Sequence, residues 1–326
     1  MKAIIIPEFG GAEVLILQEV DAPAISENQV LIKVAATSVN YADILTRRGL
    51  YHAAGNPPII PGMDAAGVVE RVGSRVKKFT IGQRVIALPK NGSYAEYVAV
   101  DENLVYALPD NVDFLEAAAC PLVAFTAYKL LADVGRLRQG ESVLVHAASG
   151  GVGTAAMQLA KLLGAGLVIG TVGNAAKIPA ALEAGADHAF QIDIDFPAEV
   201  NRVTGGSGVD IILDSIAGDV TKRSLACLAL YGRLVIFGNA SGKAGQIATT
   251  DLHASCRAVL GFSLGTTRNR HPELLQESAE KVLSFLSAGL LNIRIGKTFR
   301  LEDAAAAHKY MESRQHTGKI VLRVAP

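Results

Sequence analysis

Val143-Leu144-Val145-His146-Ala147-Ala148-Ser149-Gly150-Gly151-Val152-Gly153-Thr154-Ala155 joins a short apolar strand to a glycine turn and then to the start of a helix. Residues 143–145 suit a buried strand, and residues 154–163 place apolar side chains at helical spacing, with Gly164 just past the end as a stop. Between them the backbone must turn sharply. Gly150 would let the main chain approach a diphosphate and Gly153 would let the helix pack close to the sheet, while the amides of Gly151, Val152 and Gly153 would face the anion. Ala148 stands where the usual G-x-G-x-x-G fingerprint has its first glycine, so an ordinary strand-turn-helix connection is the rival. Ser149 lies in the turn outside any G-x-S-x-G elbow, which makes it a candidate phosphate donor and not a nucleophile.

The chain has 326 residues and 50% hydrophobic content, enough for about two domains. Lys plus Arg and Asp plus Glu both number 31, so no excess of positive charge draws nucleic acid or an anionic membrane. No ~18 apolar residues follow one another, so no spanning helix is expected. Residues 3–6, ahead of Pro7, are too few for the apolar part of a signal peptide. Cys120, Cys227 and Cys256 are odd in number and far apart, and no C-x-x-C pair exists. They read as small buried residues in a reducing compartment, and the cytoplasm is the expected location.

From residue 2 to about 107, short β-type runs at 29–36, 67–72, 83–88 and 94–100 are broken by Gly, Pro and Asn, which predicts a mostly β domain. The pattern then changes to apolar strands alternating with helical segments: 143–145, 167–171, 189–192, 209–214, 233–237 and 258–262. Six strands in that rhythm predict a doubly wound parallel sheet in an α/β protein. Gly164, Gly185 and Gly232 punctuate the helix ends. Two further helices, at 273–288 and 302–313, precede a closing strand at 319–324 that is expected to rejoin the first domain.

NAD-binding sheets carry an acid about 20 residues beyond the glycine loop, where it accepts hydrogen bonds from the ribose hydroxyls. Here that stretch is Gly170-Thr171-Val172-Gly173-Asn174-Ala175-Ala176-Lys177, without a carboxylate. A 2′-phosphate would meet no repulsion there, and Asn174 and Lys177 could supply a donor and a cation, so NADPH is favoured over NADH. A lysine in a first helical turn is more often merely solvated; the missing acid tilts the balance.

Several stretches fall in a familiar order: Met1-Lys2-Ala3-Ile4, Ser38-Val39-Asn40-Tyr41-Ala42-Asp43, Arg48-Gly49-Leu50-Tyr51, Gly92-Ser93-Tyr94-Ala95-Glu96-Tyr97, the glycine turn, Val209-Asp210-Ile211-Ile212-Leu213-Asp214-Ser215, Phe237-Gly238-Asn239-Ala240-Ser241-Gly242 and Thr317-Gly318-Lys319-Ile320-Val321-Leu322. Together, over essentially the whole chain, they resemble the zinc-independent, zeta-crystallin-like quinone oxidoreductases of the medium-chain dehydrogenase/reductase superfamily. The resemblance implies a GroES-like, partly open β-barrel catalytic domain at 1–121, a Rossmann doubly wound NADPH-binding domain at 122–262, and a return to the catalytic domain at 263–326. It also implies hydride transfer from NADPH to quinones.

Zinc enzymes of the superfamily place a cysteine where this chain has Asn40, and Gly-His-Glu where it has Gly62-Met63-Asp64. Asn40 and Met63 are not normal zinc ligands, so no metal is expected. By the same resemblance Asn40 and Tyr51 are substrate-facing donors, and Tyr128, Gly173, Phe237 and Gly238 join the cofactor-binding set. Each has a plainer alternative. Asn40 could cap the helix near 42–47 and Asp43 could be a helix N-terminal charge; Tyr51 could cover apolar surface beside Pro57 and Pro58, and Tyr128 could be core. His52 and His146 have no recognisable partner. Quinone reductases often place a tyrosine after the third strand against the adenosine phosphate; Ile192 stands there here.

Three functions follow as expectations. The first is an NADPH:quinone oxidoreductase; the second, with the same hydride chemistry, is a double-bond reductase of 2-alkenals, enones or enoyl thioesters. The third is a catalytically weak NADPH-binding sensor or structural protein. A homodimer through the Rossmann edge strand, around residues 257–264, is expected, because an unpaired apolar strand needs cover.

Overall fold

In the computed structural model, which describes residues 1–52 and 55–324, the N-terminal stretch is rich in strands. Its strands are rich in β-branched and small apolar residues, which suits packed sheet surfaces. β1 (Lys2–Ile5) and β2 (Ile16–Glu19) form an antiparallel pair. β3 (Gln29–Val39) pairs antiparallel with both β4 (Ala65–Val72) and β6 (Tyr97–Asp101). β5 (Arg84–Ala87) lies between β4 and β7 (Val105–Ala107). Helix α1 (Tyr41–Arg47) leaves directly from the end of β3, and α2 (Phe114–Ala119) and α3 (Pro121–Lys129) follow the last of these strands.

The middle of the chain contributes β8 (Ser142–Val145), α4 (Gly151–Leu162), β9 (Leu167–Val172), β10 (His188–Gln191), β11 (Val209–Asp214), β12 (Leu228–Ile236) and β13 (Ala258–Gly261). The strands form one parallel sheet in the order β10-β9-β8-β11-β12-β13. This is the doubly wound arrangement, and its order reverses between β8 and β11, where ligands of such sheets bind. β12 begins at Leu228, earlier than its hydrophobic run suggests, because Leu228 pairs with Val209 across a bulge. Leu144, Ile169, Ile212 and Leu234 pack with Phe196 and Val200 in one core cluster.

The remaining chain adds β14 (Ile295–Arg300) and β15 (Lys319–Arg323). β15 pairs antiparallel with β3, so the closing strand rejoins the first sheet. The two helices expected there are Gln276–Ser287 and Ala304–Glu312, each preceded by a 3-10 turn. The chain divides into two units, Met1–Phe125 with Leu264–Pro326, and Thr126–Ser263. Ile4, Ile6, Val39, Ile44, Ile320 and Leu322 centre a core cluster of the first unit. Cys120 and Cys227 are buried, but Cys256 is exposed, correcting the expectation that all three are core residues; it follows the short helix Thr250–His253 and has a positive φ of 51°. Among the described residues no helix is long and apolar enough to cross a membrane.

Candidate functional site

In the second unit, Ala147 takes a left-handed φ of 53°, which reverses the chain at the end of β8, and Ala148 is fully buried at the first-glycine position. Gly150 N–H donates to Ala147 O at 2.9 Å, and Gly150 caps α4 without any side-chain hydrogen bond. The first amides of this twelve-residue helix, those of Gly151, Val152 and Gly153, therefore have neither an intrahelical acceptor nor a capping side chain. Gly153 is demanded by packing: a Cβ there would lie 2.4 Å from Ala147 O and 2.7 Å from Ala148 Cα, both backbone. Gly173, just past β9, is the reverse case, since a Cβ there would meet nothing within 4 Å.

The other cofactor candidates gather at strand ends of the same sheet. Asn174 Oδ1 accepts the Ala176 N–H at 2.8 Å, which leaves the amide nitrogen for other partners. Lys177 is half-buried, and burial pulls its ammonium below the usual lysine range. Val172, in the acid's place, is buried. Phe237 N–H donates to Asp214 O at 3.0 Å, and Gly238 presses on Ser215, whose carbonyl oxygen would stand 2.8 Å from an added Cβ. Ser149 is 5% exposed within the turn, and Tyr128 is buried on α3. Ile192 packs against the apolar core of the sheet. Backbone amides, an amide side chain and a cation, with no carboxylate at the end of β9, are donors that fit a dinucleotide diphosphate and a 2′-phosphate.

His146 corrects an expectation: it has partners. Its Nδ1 lies 2.7 Å from Thr171 Oγ1 and its Nε2 2.8 Å from Ser224 Oγ, and burial pushes its pKa down to about 4. It is a neutral tie between strand and helix.

In the first unit, Asn40 sits at the N-cap of α1 with extended backbone, and its side-chain amide also reaches groups outside the helix. Its Nδ2 donates to Asp64 Oδ2 at 2.8 Å, and its Oδ1 accepts from the Lys319 ammonium. Asp43 shares the capping task, its Oδ2 accepting the Asn40 N–H at 2.8 Å. Asp64 is saturated: Ser38 Oγ donates to it at 2.6 Å, the Leu122 N–H at 2.7 Å, and Lys319 Nζ stands 3.5 Å away. All of these side chains are buried, where a hydrogen-bonded charge is tolerated and a lone one is costly.

Asp43 is fully buried, and its Oδ1 has no partner among the described residues. Burial pushes its carboxyl up to about 7, with the Asp64 charge adding to the rise, against the Asn40 amide, Lys319 and Arg268. Behind it runs a directed chain. Arg47 Nη1 donates to His308 Nδ1 at 3.3 Å, because a guanidinium only donates. His308 Nε2 then carries the proton toward Tyr94 Oη at 3.1 Å, and that hydroxyl donates to Asp43 Oδ2 at 3.5 Å. Burial pushes His308 down to about 3, and Arg47 adds to the effect, so the ring is neutral.

Tyr51 is half-buried, and its hydroxyl abuts Gly265: a Cβ there would lie 2.3 Å from Tyr51 Oη. Its ring tilts on His52, centroids 4.8 Å apart, so His52 also has a partner that its sequence context does not reveal. Burial raises the phenol pKa; Arg268 opposes this and Asp43 reinforces it. Asn40 and Tyr51 thus share one neighbourhood through Asp43. Met63 is fully buried beside Asp64, and among the described residues no three His, Cys, Asp or Glu side chains come together to hold a metal ion. Sequence reasoning passes over Lys319, Arg268, His308 and Arg47. Only Lys319 carries a signal, as a lone cation opening the apolar strand β15.

Comparison with known proteins finds two family matches. The alcohol dehydrogenase GroES-like domain matches residues 26–110, and the zinc-binding dehydrogenase family matches residues 151–280. A 2-haloacrylate reductase from Burkholderia sp is 37% identical over 99% of this chain and 98% of its own length. The human quinone oxidoreductase is 35% identical over 99% of this chain and 97% of its own. Among solved structures, Escherichia coli quinone oxidoreductase complexed with NADPH superposes with a TM-score of 0.92 at 33% identity, covering 99% of this chain and 100% of that one. With its GroES-like unit, its Rossmann sheet and full-length relatives of this kind, the chain belongs to the zinc-independent, zeta-crystallin-like quinone oxidoreductase family of the medium-chain dehydrogenase/reductase superfamily.

Proposed function

We propose that this oxidoreductase is an NADPH-dependent quinone reductase that needs no metal ion. The observation that carries the proposal is the uncapped N-terminus of α4 beside the open space at Gly173, with no acid at the end of β9. When bound, NADPH supplies the hydride. The amides of Gly151, Val152 and Gly153 and the Ser149 hydroxyl take the diphosphate; Asn174 and Lys177 take the 2′-phosphate; Tyr128, Gly173, Phe237 and Gly238 complete the cofactor's surroundings. Lys319 on Oδ1 and Asp64 on Nδ2 fix which end of the Asn40 amide is which, leaving one N–H to donate. That N–H and the Tyr51 hydroxyl hold the substrate oxygen as charge develops on it, each contributing about 2.7–4 kcal/mol in a water-excluded site. With its pKa raised, Tyr51 keeps its proton at neutral pH and acts as a hydrogen-bond donor, and solvent delivers the final proton.

The Burkholderia relative's name supports a second reading, reduction of conjugated double bonds in 2-alkenals, enones or enoyl thioesters. The test is NADPH oxidation followed at steady state with small quinones and enones, with product analysis. No oxidation above background with either class, despite cofactor binding, would leave only a sensor or structural role. We also place the protein in the cytoplasm, on its separated cysteines, and as a homodimer through β13. Among the described residues β13 pairs only with β12 in its sheet, and an edge strand of that kind needs cover. Light scattering showing a monomer would remove the dimer.

A further inference from the structure

Arg268, on the helix Leu264–Arg270, is 2% exposed and bonds only to neutral groups. Nη1 donates to Pro89 O at 2.6 Å, while Nη2 reaches Lys90 O at 3.3 Å and Met63 Sδ at 3.8 Å. Its Nε–H has no partner, and no carboxylate forms an ion pair with it among the described residues. The nearby acids form no ion pair with it, although their charges are felt at the guanidinium: Asp64 is saturated by Ser38, Asn40, Leu122 and Lys319, and Asp43 accepts from Asn40 and Tyr94 on Oδ2 while its Oδ1 stays unpartnered. A buried cation with no carboxylate in direct contact is costly. One helical turn back, Gly265 touches the Tyr51 hydroxyl, and the charge of Arg268 is felt at that phenol, so cation and donor serve the same place.

We propose that Arg268 recognises the carboxylate of an α,β-unsaturated acid, so that among conjugated double bonds the enzyme prefers acids over their neutral esters. The inference rests on the second, double-bond reading above and names its substrate class. A conjugated carboxylate is a poor hydride acceptor because a second negative charge must build on the carboxyl group. The guanidinium neutralises the first charge, and Tyr51 donates to an oxygen as the second develops. Hydride from the reduced cofactor forms a C–H bond at the β-carbon, the π pair moves onto the carboxyl oxygens, and a solvent proton adds at the α-carbon. The products are the saturated acid and oxidised cofactor.

The test compares crotonate with methyl crotonate, and both with 1,4-benzoquinone, for the wild-type protein, Arg268→Met and Arg268→Lys. The ester is intrinsically the better acceptor, so wild-type kcat/KM favouring the acid by about tenfold or more is the expected result. Arg268→Met is expected to lower the acid-to-ester ratio by about a hundredfold, and Arg268→Lys by less. Calorimetry with butyrate in the presence of NADP+ gives a readout apart from turnover: the wild type binds and Arg268→Met does not. If Arg268→Met fails to fold, the wild-type ratio, the lysine variant and calorimetry decide. An ester preference in the wild type, or butyrate binding undiminished in a folded variant, would overturn the proposal and leave Arg268 as a strut for residues 89–90. If benzoquinone is not reduced either, the underlying reductase reading fails instead.

Discussion

The cofactor turn of one unit and the polar cluster of the other solve the same problem, placing hydrogen-bond donors where negative charge will lie, by opposite means. At the start of α4 the donors are main-chain amides, and the side chains only need to stay small: Gly150 and Gly153 make room and Gly173 leaves space. Around Asn40 the donors and the carboxylates that hold them are side chains brought from β3, α1, the segment before β4 and β15, and each must be satisfied by the next. A backbone-made site is local and tolerates drift outside its glycines. A side-chain-made site is distributed, and loss of one member strands the others as buried, unpaired groups.

The largest effect separating the two is expected from Lys319→Met. It removes the cation of a fully buried pair and leaves Asp64 uncompensated, at a cost of about 3–5 kcal/mol. Thermal unfolding checks it. A loss comparable to that of an exposed lysine would contradict the distributed description. Next is Tyr51→Phe, for which kcat with a quinone should fall by about a hundredfold while the dissociation constant of NADPH stays within about threefold. Equal losses in both would show that the phenol serves the cofactor side.

Gly173→Ala probes the backbone-made site. Its new methyl group meets no protein atom within 4 Å, so stability should hold while NADPH affinity falls, as fluorescence titration would show. Gly153→Ala, whose Cβ would meet backbone on two sides, should lower the melting temperature as well. Equal behaviour of the two variants would mean that the space beside Gly173 is not where the cofactor lies.

The smallest effect is in pH dependence. The Asp43 pKa is raised to about 7 from an ordinary value near ~4. Stability from this group is therefore present below pH ~4 and lost as pH rises toward 7. His308 is lowered to about 3 from near ~6.5, so its contribution is present above pH ~6.5 and lost as pH falls toward 3. The two oppose each other across the same window. Asp43→Asn removes the first and keeps the second, so its melting temperature should rise with pH relative to the wild type between about pH 4 and 7. Parallel curves for the two proteins would contradict the buried, unpaired carboxyl.

This contrast also explains what was legible in the sequence. The parallel sheet shows itself because each strand is a short apolar run closed by a turn, and the α4 turn shows itself because its glycines are adjacent. The absence of an acid beyond β9 is equally local. The GroES-like unit emerged through resemblance more than pattern, since β3 pairs with strands before and after a long excursion. Asn40 is readable as a site residue only through that resemblance, and its partner Lys319 lies at the other end of the chain. His308 sits in the alanine-rich helix Ala304–Glu312, and Arg268 among Thr266, Thr267 and Asn269, where nothing in the spacing tells a buried polar residue from a solvated one. Their burial arises from tertiary packing.

The most direct test is a crystal structure of the protein with NADPH. The diphosphate is expected within hydrogen-bonding distance of the amides of Gly151, Val152 and Gly153, with the 2′-phosphate at Asn174 and Lys177. A cofactor bound elsewhere, or none bound at saturating concentration, would contradict that placement.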